Sequence, residues 1–335
     1  MTRKQFIGAG IATALSGMAG EQPQEGVRFC VFADIHYYPG TYPNSTVSWL
    51  RRILDHAKAE KCDFVMQLGD FCHHPAKDAE YVAAFRDCGI PAYHVIGNHD
   101  DDGNSHEETL RAYGLSRGHY SFDCKGFRFV VMDPNYIHWK DGRIEHYSNQ
   151  NYFQKTKDDA ISYVPPEQLA WLAETLENSP HPCVICSHQS FERPKGSACS
   201  NHQEVRSVLD AANRRHPGRV LMAMNGHHHC DYLRILENIV YFDVNSATFQ
   251  WLGSKFFHDK YPEDYKKANS QACRILGWDD PLHAIVTLAP GGKVSIRGMQ
   301  SRFSHGVSPE DVGFGADGCG RLTTPRIQST EVRIG

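Results

Sequence analysis

The chain has 335 residues, 41% hydrophobic and 22% charged, so it can bury a sizeable core and is not disordered as a whole. Its 39 acidic and 35 basic residues leave a formal charge of −4. That balance excludes a general nucleic-acid binder, whose affinity comes from clustered Lys and Arg releasing counterions. Eleven cysteines are too sparse for a disulfide scaffold, and twenty histidines raise the question of where the imidazoles sit.

At the N-terminus, Arg3 and Lys4 precede an apolar stretch from Phe6 to Leu15 and the small residues Gly17, Ala19 and Gly20. Residues 1–20 therefore read as an export signal of Tat-like or Sec type, implying a periplasmic or extracellular protein, with a cytoplasmic one as the alternative. No other segment approaches the roughly 18 consecutive apolar residues of a membrane span. From residue 27 onward, short apolar β-branched runs alternate with helix-like stretches. The runs predict strands over 27–33, 64–68, 92–96, 120–122, 127–132, 183–187, 220–224, 239–244, 284–288 and 294–297. Helices are expected over 46–61, 79–87, 166–177 and 204–216. This is a mixed α/β pattern, with a single domain over 26–300. Cys183 and Cys186 form a C-x-x-C inside a strand, where they point to opposite faces and read as core thiols. Residues 134–165, polar and aromatic, read as a lid-like insertion, and 301–335 as a C-terminal tail or a late edge strand.

The residues just past the strand ends carry the chemistry. Asp34 and His36 come after the first strand, Gly69 and Asp70 after the second, and Gly97-Asn98-His99-Asp100 after the third. His188 lies just past the strand at 183–187, and Gly226-His227-His228-His229 just past the strand at 220–224. Open α/β sheets gather ligands at the carboxyl ends of their strands, so these groups can meet in one cleft. Two carboxylates, one amide oxygen and four imidazoles form a mixed N/O set suited to Mn, Fe, Zn, Co or Ni. Seven ligands are too many for one ion and suit two sharing a carboxylate.

The ordered blocks D-x-H, G-D, G-N-H-D, H and G-H-x-H resemble the calcineurin-like metallophosphoesterase superfamily. The resemblance runs from about residue 29 to 229, and through the closing strands to about 297. It implies a four-layer αββα sandwich, two mixed sheets flanked by helices. It also implies two divalent or trivalent transition-metal ions (Mn, Fe, Zn or Ni, with Mn and Fe favoured). By resemblance, Asp34, His36, Asp70 and His229 hold one ion, and Asp70, Asn98, His188 and His227 the other. A metal-bound hydroxide then attacks phosphorus in line, and His99 acts as the catalytic histidine at the leaving-group or a phosphoryl oxygen.

One departure concerns His99. Relatives with a G-D-x-x-D pattern use the last aspartate to orient this histidine, and here His73 stands in its place. Asp100, Asp101 or Asp102 is a substitute, although a run of aspartates after a turn reads more readily as a solvated loop. His73 and His74 read as surface histidines, with a place in the site as the alternative. The pattern is closest to the branch of cyclic-nucleotide phosphodiesterases and manganese-dependent ADP-ribose/CDP-alcohol diphosphatases. The expected substrate is thus a small phosphodiester or nucleoside diphosphate derivative, with Tyr136 and Trp139 stacking on it and Arg193 and Lys195 meeting a second phosphate. The alternatives are a broad phosphomonoesterase or nucleotidase, and a non-catalytic binding module on the same fold.

Overall fold

Strands that are apolar on both faces need cover on both, and the chain supplies it in four layers. The computed structural model describes residues 26–43, 47–192, 198–314 and 322–334. The expected export signal, Arg193 and Lys195 lie outside the described residues.

The chain begins β1 (Val27–Phe32), α1 (Val47–Ala59), β2 (Phe64–Leu68), α2 (Ala79–Arg86), β3 (Ala92–Val95), α3 (His106–Tyr113), β4 (Tyr120–Cys124) and β5 (Phe127–Val131). The insertion carries β6 (Tyr136–His138), β7 (Ile144–His146) and β8 (Ala160–Ile161). Next come α4 (Pro166–Glu177), β9 (Cys183–Cys186), α5 (His202–Arg215), β10 (Val220–Asn225), β11 (Tyr232–Leu236), β12 (Ile239–Asp243) and β13 (Phe249–Trp251). The chain closes with α6 (Glu263–Ala268), β14 (Ile275–Gly277), β15 (Ala284–Ala289), β16 (Lys293–Gly298) and β17 (Thr330–Arg333).

One sheet runs β17-β16-β15-β1-β2-β3 and the other β11-β12-β10-β9-β5-β4. In the first, β1, β2 and β3 are parallel; in the second, β5, β9, β10 and β12 are parallel. The sheets pack on each other through Phe29, Met66, Phe129, Met222 and Phe242, all buried. Phe64 lies 4.9 Å from both Phe29 and Phe129, ring centroid to centroid. Each such ring contributes about 1.5–3 kcal/mol by burial. On the outer face of the first sheet Cys30 and Phe32 meet Leu50, Ile53 and Phe85, which brings in α1 and α2. On the other, Val130 and Ile185 meet Leu172 and Leu209 of α4 and α5. The result is the αββα sandwich. Cys183 and Cys186 fall into different cores, as opposite strand faces require, and among the described residues every cysteine is free.

Five of the expected strands end one residue early, at Phe32, Val95, Val131, Cys186 and Asp243, because the chain has left the ladder to form loops. The 134–165 segment contains the three-stranded sheet β7-β6-β8, and residues 330–333 form an edge strand on β16. Among the described residues no helix is long and apolar enough to cross a membrane.

His94, on β3, is buried against Tyr113, with ring centroids 4.0 Å apart. Its Nδ1 accepts from Gln67 Nε2 at 3.0 Å, and burial lowers its pKa to about 3. The unfolded chain therefore takes up the proton first, and stability falls as pH drops from about 6.5 towards 3. His94→Gln should flatten that fall in a urea-midpoint series; an unchanged slope would assign the acid sensitivity elsewhere.

Candidate dinuclear metal site

Because β1, β2 and β3 are parallel, as are β5, β9 and β10, their carboxyl ends open onto common rims of the two packed sheets. The loops beyond them are laced together. Asp34 N–H donates to the Gly69 carbonyl at 3.0 Å, His36 N–H to Asp70 at 2.9 Å and Tyr37 N–H to Phe71 at 3.0 Å. Five of the seven expected ligands, Asp34, His36, Asp70, His227 and His229, have left-handed backbone with φ of 53°, 50°, 51°, 69° and 50°. Asp and His tolerate this region, at about 1–2 kcal/mol each, and such residues cluster at functional sites. A Cβ on Gly226 would stand 2.5 Å from Asp34 Oδ2, and one on Gly97 would overlap Asp70. Both positions are therefore confined to glycine.

The expected ligands assemble as two groups. Asp34, His36 and His229 offer donor atoms within 4.8 Å of one another, and so do Asp70, His188 and His227. His36 Nε2 lies 3.1 Å from His229 Nε2, and His229 Nε2 is 3.3 Å from Asp34 Oδ1. His188 Nε2 lies 3.1 Å from Asp70 Oδ2 and from His227 Nδ1. Asp70 stands between the groups, with Oδ2 also 3.8 Å from His36 Nε2.

The donor chemistry fits two metal ions. His188 Nδ1–H donates to the Leu68 carbonyl at 2.8 Å, and His229 Nδ1–H to Phe249 at 2.6 Å. Those bonds turn each Nε2 inward, the usual outer-shell arrangement of a metal-bound imidazole. Asn98 Oδ1 is buried and accepts no hydrogen bond among the described residues. Burial holds His36 and His227 well below the usual histidine pKa, in the neutral form a ligand needs. Burial alone would raise the Asp70 pKa, but the imidazoles of His188 and His99 hold it well below the usual carboxylate range.

The aspartate run, which reads as a solvated loop in sequence, is interior. Asp100 and Asp101 are fully buried, and the Asp102 side chain is only 5% exposed. Asp102 Oδ2 accepts from His99 Nδ1 at 2.6 Å and from His73 Nδ1 at 3.1 Å, while Oδ1 accepts from the Tyr152 hydroxyl at 2.6 Å. Asp102 thus supplies the carboxylate that position 73 lacks. Burial opposes protonation of His99, but Asp70 and the Asp102 bond prevail and push its pKa up to about 9. Asp100 instead accepts from the amides of Asp70, Phe71, Cys72 and Gly97 at 2.7–3.1 Å and from the Tyr113 hydroxyl at 2.7 Å, fixing the loop that carries Asp70. His73 is buried, not a surface residue, and its Nε2 lies 3.0 Å from His36 Nδ1.

Beside the two groups, a cavity of about 440 Å³ adjoins Asn98 and His227 and is lined further by Tyr147, Tyr152, Phe153 and Lys155. Phe153 is 68% exposed. Trp139 packs under the Arg143 guanidinium at 5.1 Å, and the Tyr136 ring lies 3.8 Å from that of His146, so neither lines this cavity. On the other flank, Phe249 stacks on His36 at 5.1 Å and Trp251 lies 6.0 Å away. Phe153, Lys155 and Trp251 escape a reading by motif, since none belongs to a block of fixed spacing, whereas Asp102 is one of the three aspartates the sequence offers to orient His99.

The calcineurin-like phosphoesterase family model matches residues 27–231, well over half of the chain. The chain belongs to that family: it is a metallophosphoesterase, a hydrolase whose class uses a dinuclear metal centre. A dimetal phosphatase from Danio rerio has a similar structure, with TM-score 0.57 and 18% identity over 84% of this chain and 99% of that one. GAP50, the anchor in the inner membrane complex of Plasmodium, superposes with TM-score 0.50 and 12% identity over 93% of this chain and 90% of its own. At these identities the likeness concerns the fold alone. No curated protein sequence matches the chain.

Asp102→Asn should lower kcat about 10- to 100-fold, because general acid–base positioning is worth this much or more. Metal content by mass spectrometry should stay at the wild-type level. An unchanged rate would show that Asp102 does not orient His99.

Proposed function

We propose that the protein hydrolyses a small phosphodiester or nucleoside diphosphate derivative at a dinuclear centre, with manganese or iron as the metals. The observation that carries this reading is the cavity beside Asn98 and His227, walled by Tyr152, Phe153 and Lys155. Its size accommodates an organic group beyond the reacting phosphate. In this reading Asp34, His36, Asp70 and His229 hold one ion, and Asp70, Asn98, His188 and His227 the other. When bound, the ions supply Lewis acidity, a positive field for the phosphate and a water of lowered pKa.

The remaining work falls to the chain. His99 donates a proton to the leaving oxygen, with Asp102 retaining Nδ1–H so that Nε2 faces the substrate. Phe249 and Trp251 restrict water on the far flank. Phe153 and Tyr152 stack on the nucleobase or equivalent ring, and the Lys155 ammonium meets the second phosphate. This moves the aromatic contact from Trp139 and Tyr136 to Tyr152 and Phe153.

Two experiments test the reading. Asp70→Asn, which disturbs both ions, should reduce turnover at least about 1,000-fold and lower the bound metal; an undiminished rate would refute the shared carboxylate. Across a panel of mono-, di- and pyrophosphate esters, Phe153→Ala should raise KM about tenfold for the nucleoside diphosphate derivatives, the loss of one stacking contact. Hydrolysis of p-nitrophenyl phosphate should not change. A uniform effect on all esters, or a preference for monoesters in the wild type, would favour the phosphomonoesterase.

A further inference from the structure

A cluster of side chains of metal-ligating type lies outside the dinuclear site, where the insertion meets the body of the sandwich. His106 opens α3, Asp133 lies just past β5 and His146 ends β7. One donor atom from each lies within 4.8 Å of the others. His106 Nε2 is 3.6 Å and His146 Nε2 3.7 Å from Asp133 Oδ2, too far for hydrogen bonds. Donors bound tetrahedrally at about 2.1 Å stand about 3.4 Å apart, so the separations are close to those around one ion.

Two features of the cluster call for a ligand. Asp133 is fully buried and His106 only 3% exposed. Yet Asp133 Oδ2 and His106 Nε2, which face each other, have no hydrogen-bond partner among the described residues. An unpaired buried carboxylate oxygen is costly, and a cation removes that cost. The surroundings are also built as an outer shell. His106 Nδ1 is 3.1 Å from Asp101 Oδ2, so that its Nδ1–H is held by a carboxylate and Nε2 is turned to the cluster. Asp133 Oδ1 accepts from the Asn135 backbone amide at 3.1 Å and from its side-chain amide at 2.9 Å, leaving Oδ2 as the inward atom. Gly118 closes the far side, where a Cβ would run into Asp133 Oδ2.

We propose that His106, Asp133 and His146 form a third metal site, taking a divalent ion of the zinc class and pinning the insertion to the sandwich. The two-nitrogen, one-carboxylate set is one that zinc accepts, with a fourth position left to water beside the half-exposed His146. Loading requires one rearrangement. The His106 and His146 rings now stack at 3.8 Å and 13°, and an imidazole lone pair lies in its ring plane, so both cannot aim at one ion from that stack. His106 is fixed by Asp101; His146, on a three-residue strand at the edge of the insertion, is the ring that would tilt, leaving the stack on His106 and turning against the Tyr136 ring 3.8 Å away. The site is independent of the dinuclear centre and of its substrate.

The test is a Zn²⁺ and Co²⁺ titration of the full chain, with metal stoichiometry and Co²⁺ absorption as readouts. Wild type should bind three equivalents. His146→Gln should bind two, with affinity for the third lowered at least about 100-fold, since outer-shell losses alone cost 10- to 100-fold. His146 is partly exposed, so this variant keeps the fold, which circular dichroism verifies; Asp133→Asn is the second variant. Asp70→Asn should retain the equivalent that His146→Gln loses, so failure of the dinuclear reading is seen separately. Two equivalents in the wild type, or equal stoichiometry and affinity in wild type and His146→Gln, would overturn the proposal.

Discussion

The centre depends on a lacing of backbone amides between the loops that leave β1 and β2. Asp34, His36 and Tyr37 donate in turn to the carbonyls of Gly69, Asp70 and Phe71, extending the parallel pairing past the last residue of either strand. Ordinary extended backbone would carry alternate side chains to opposite faces. Asp34 and His36, two apart, would share a face on extended backbone, and left-handed turns at Asp34, His36 and Asp70 end the regular strand geometry where these three donors gather. The strain is of the order of 1–2 kcal/mol per residue, and the amide bonds of the lacing, with those the Asp100 carboxylate accepts from Asp70, Phe71 and Cys72, offset it. The second sheet joins through several further bonds, among them the His227 amide to Asp34 Oδ2 at 2.9 Å, His188 Nδ1–H to the Leu68 carbonyl at 2.8 Å and the Ser246 hydroxyl to the Asp34 carbonyl at 2.8 Å.

A short 3-10 turn, Asn98–Asp101, organises the other half of the centre. With about three residues per turn, successive side chains leave it about 120° apart. Three neighbouring aspartates can therefore face three environments: Asp100 the Asp70 loop, Asp101 the helix α3 through His106, and Asp102 the His99 ring. Asp101 and Asp102 each face a histidine, whereas Asp100 is held by amides and the Tyr113 hydroxyl, and burial pushes its pKa up to about 7, which eases the crowding of charge.

Much of this is legible in the chain. Apolar β-branched runs ending in Asp, His or Gly mark both the strands and their carboxyl ends, because a covered sheet demands the first and a metal the second. Legibility fails where a partner is distant in sequence. Tyr152 reaches Asp102 across 50 residues, and Phe249 reaches His36 only after β13 forms from three residues too few to show a period. His73 reads like a surface residue since nothing local reveals that Asp102 and His36 enclose it. The strands of the insertion are hidden for the same reason as β13. They are two or three residues long and lack the apolar continuity of the core strands.

The bond between Tyr152 and Asp102 makes the insertion something other than an interchangeable cover. The same residue walls the cavity and caps the carboxylate that steadies His99. Exchanging the insertion for that of a relative, as one would to transplant selectivity, strips a phenol from Asp102 unless the graft brings one to the same spot. The cavity wall and the carboxylate beside His99 are therefore a single heritable unit, and a designer must move Asp102 and its phenol together.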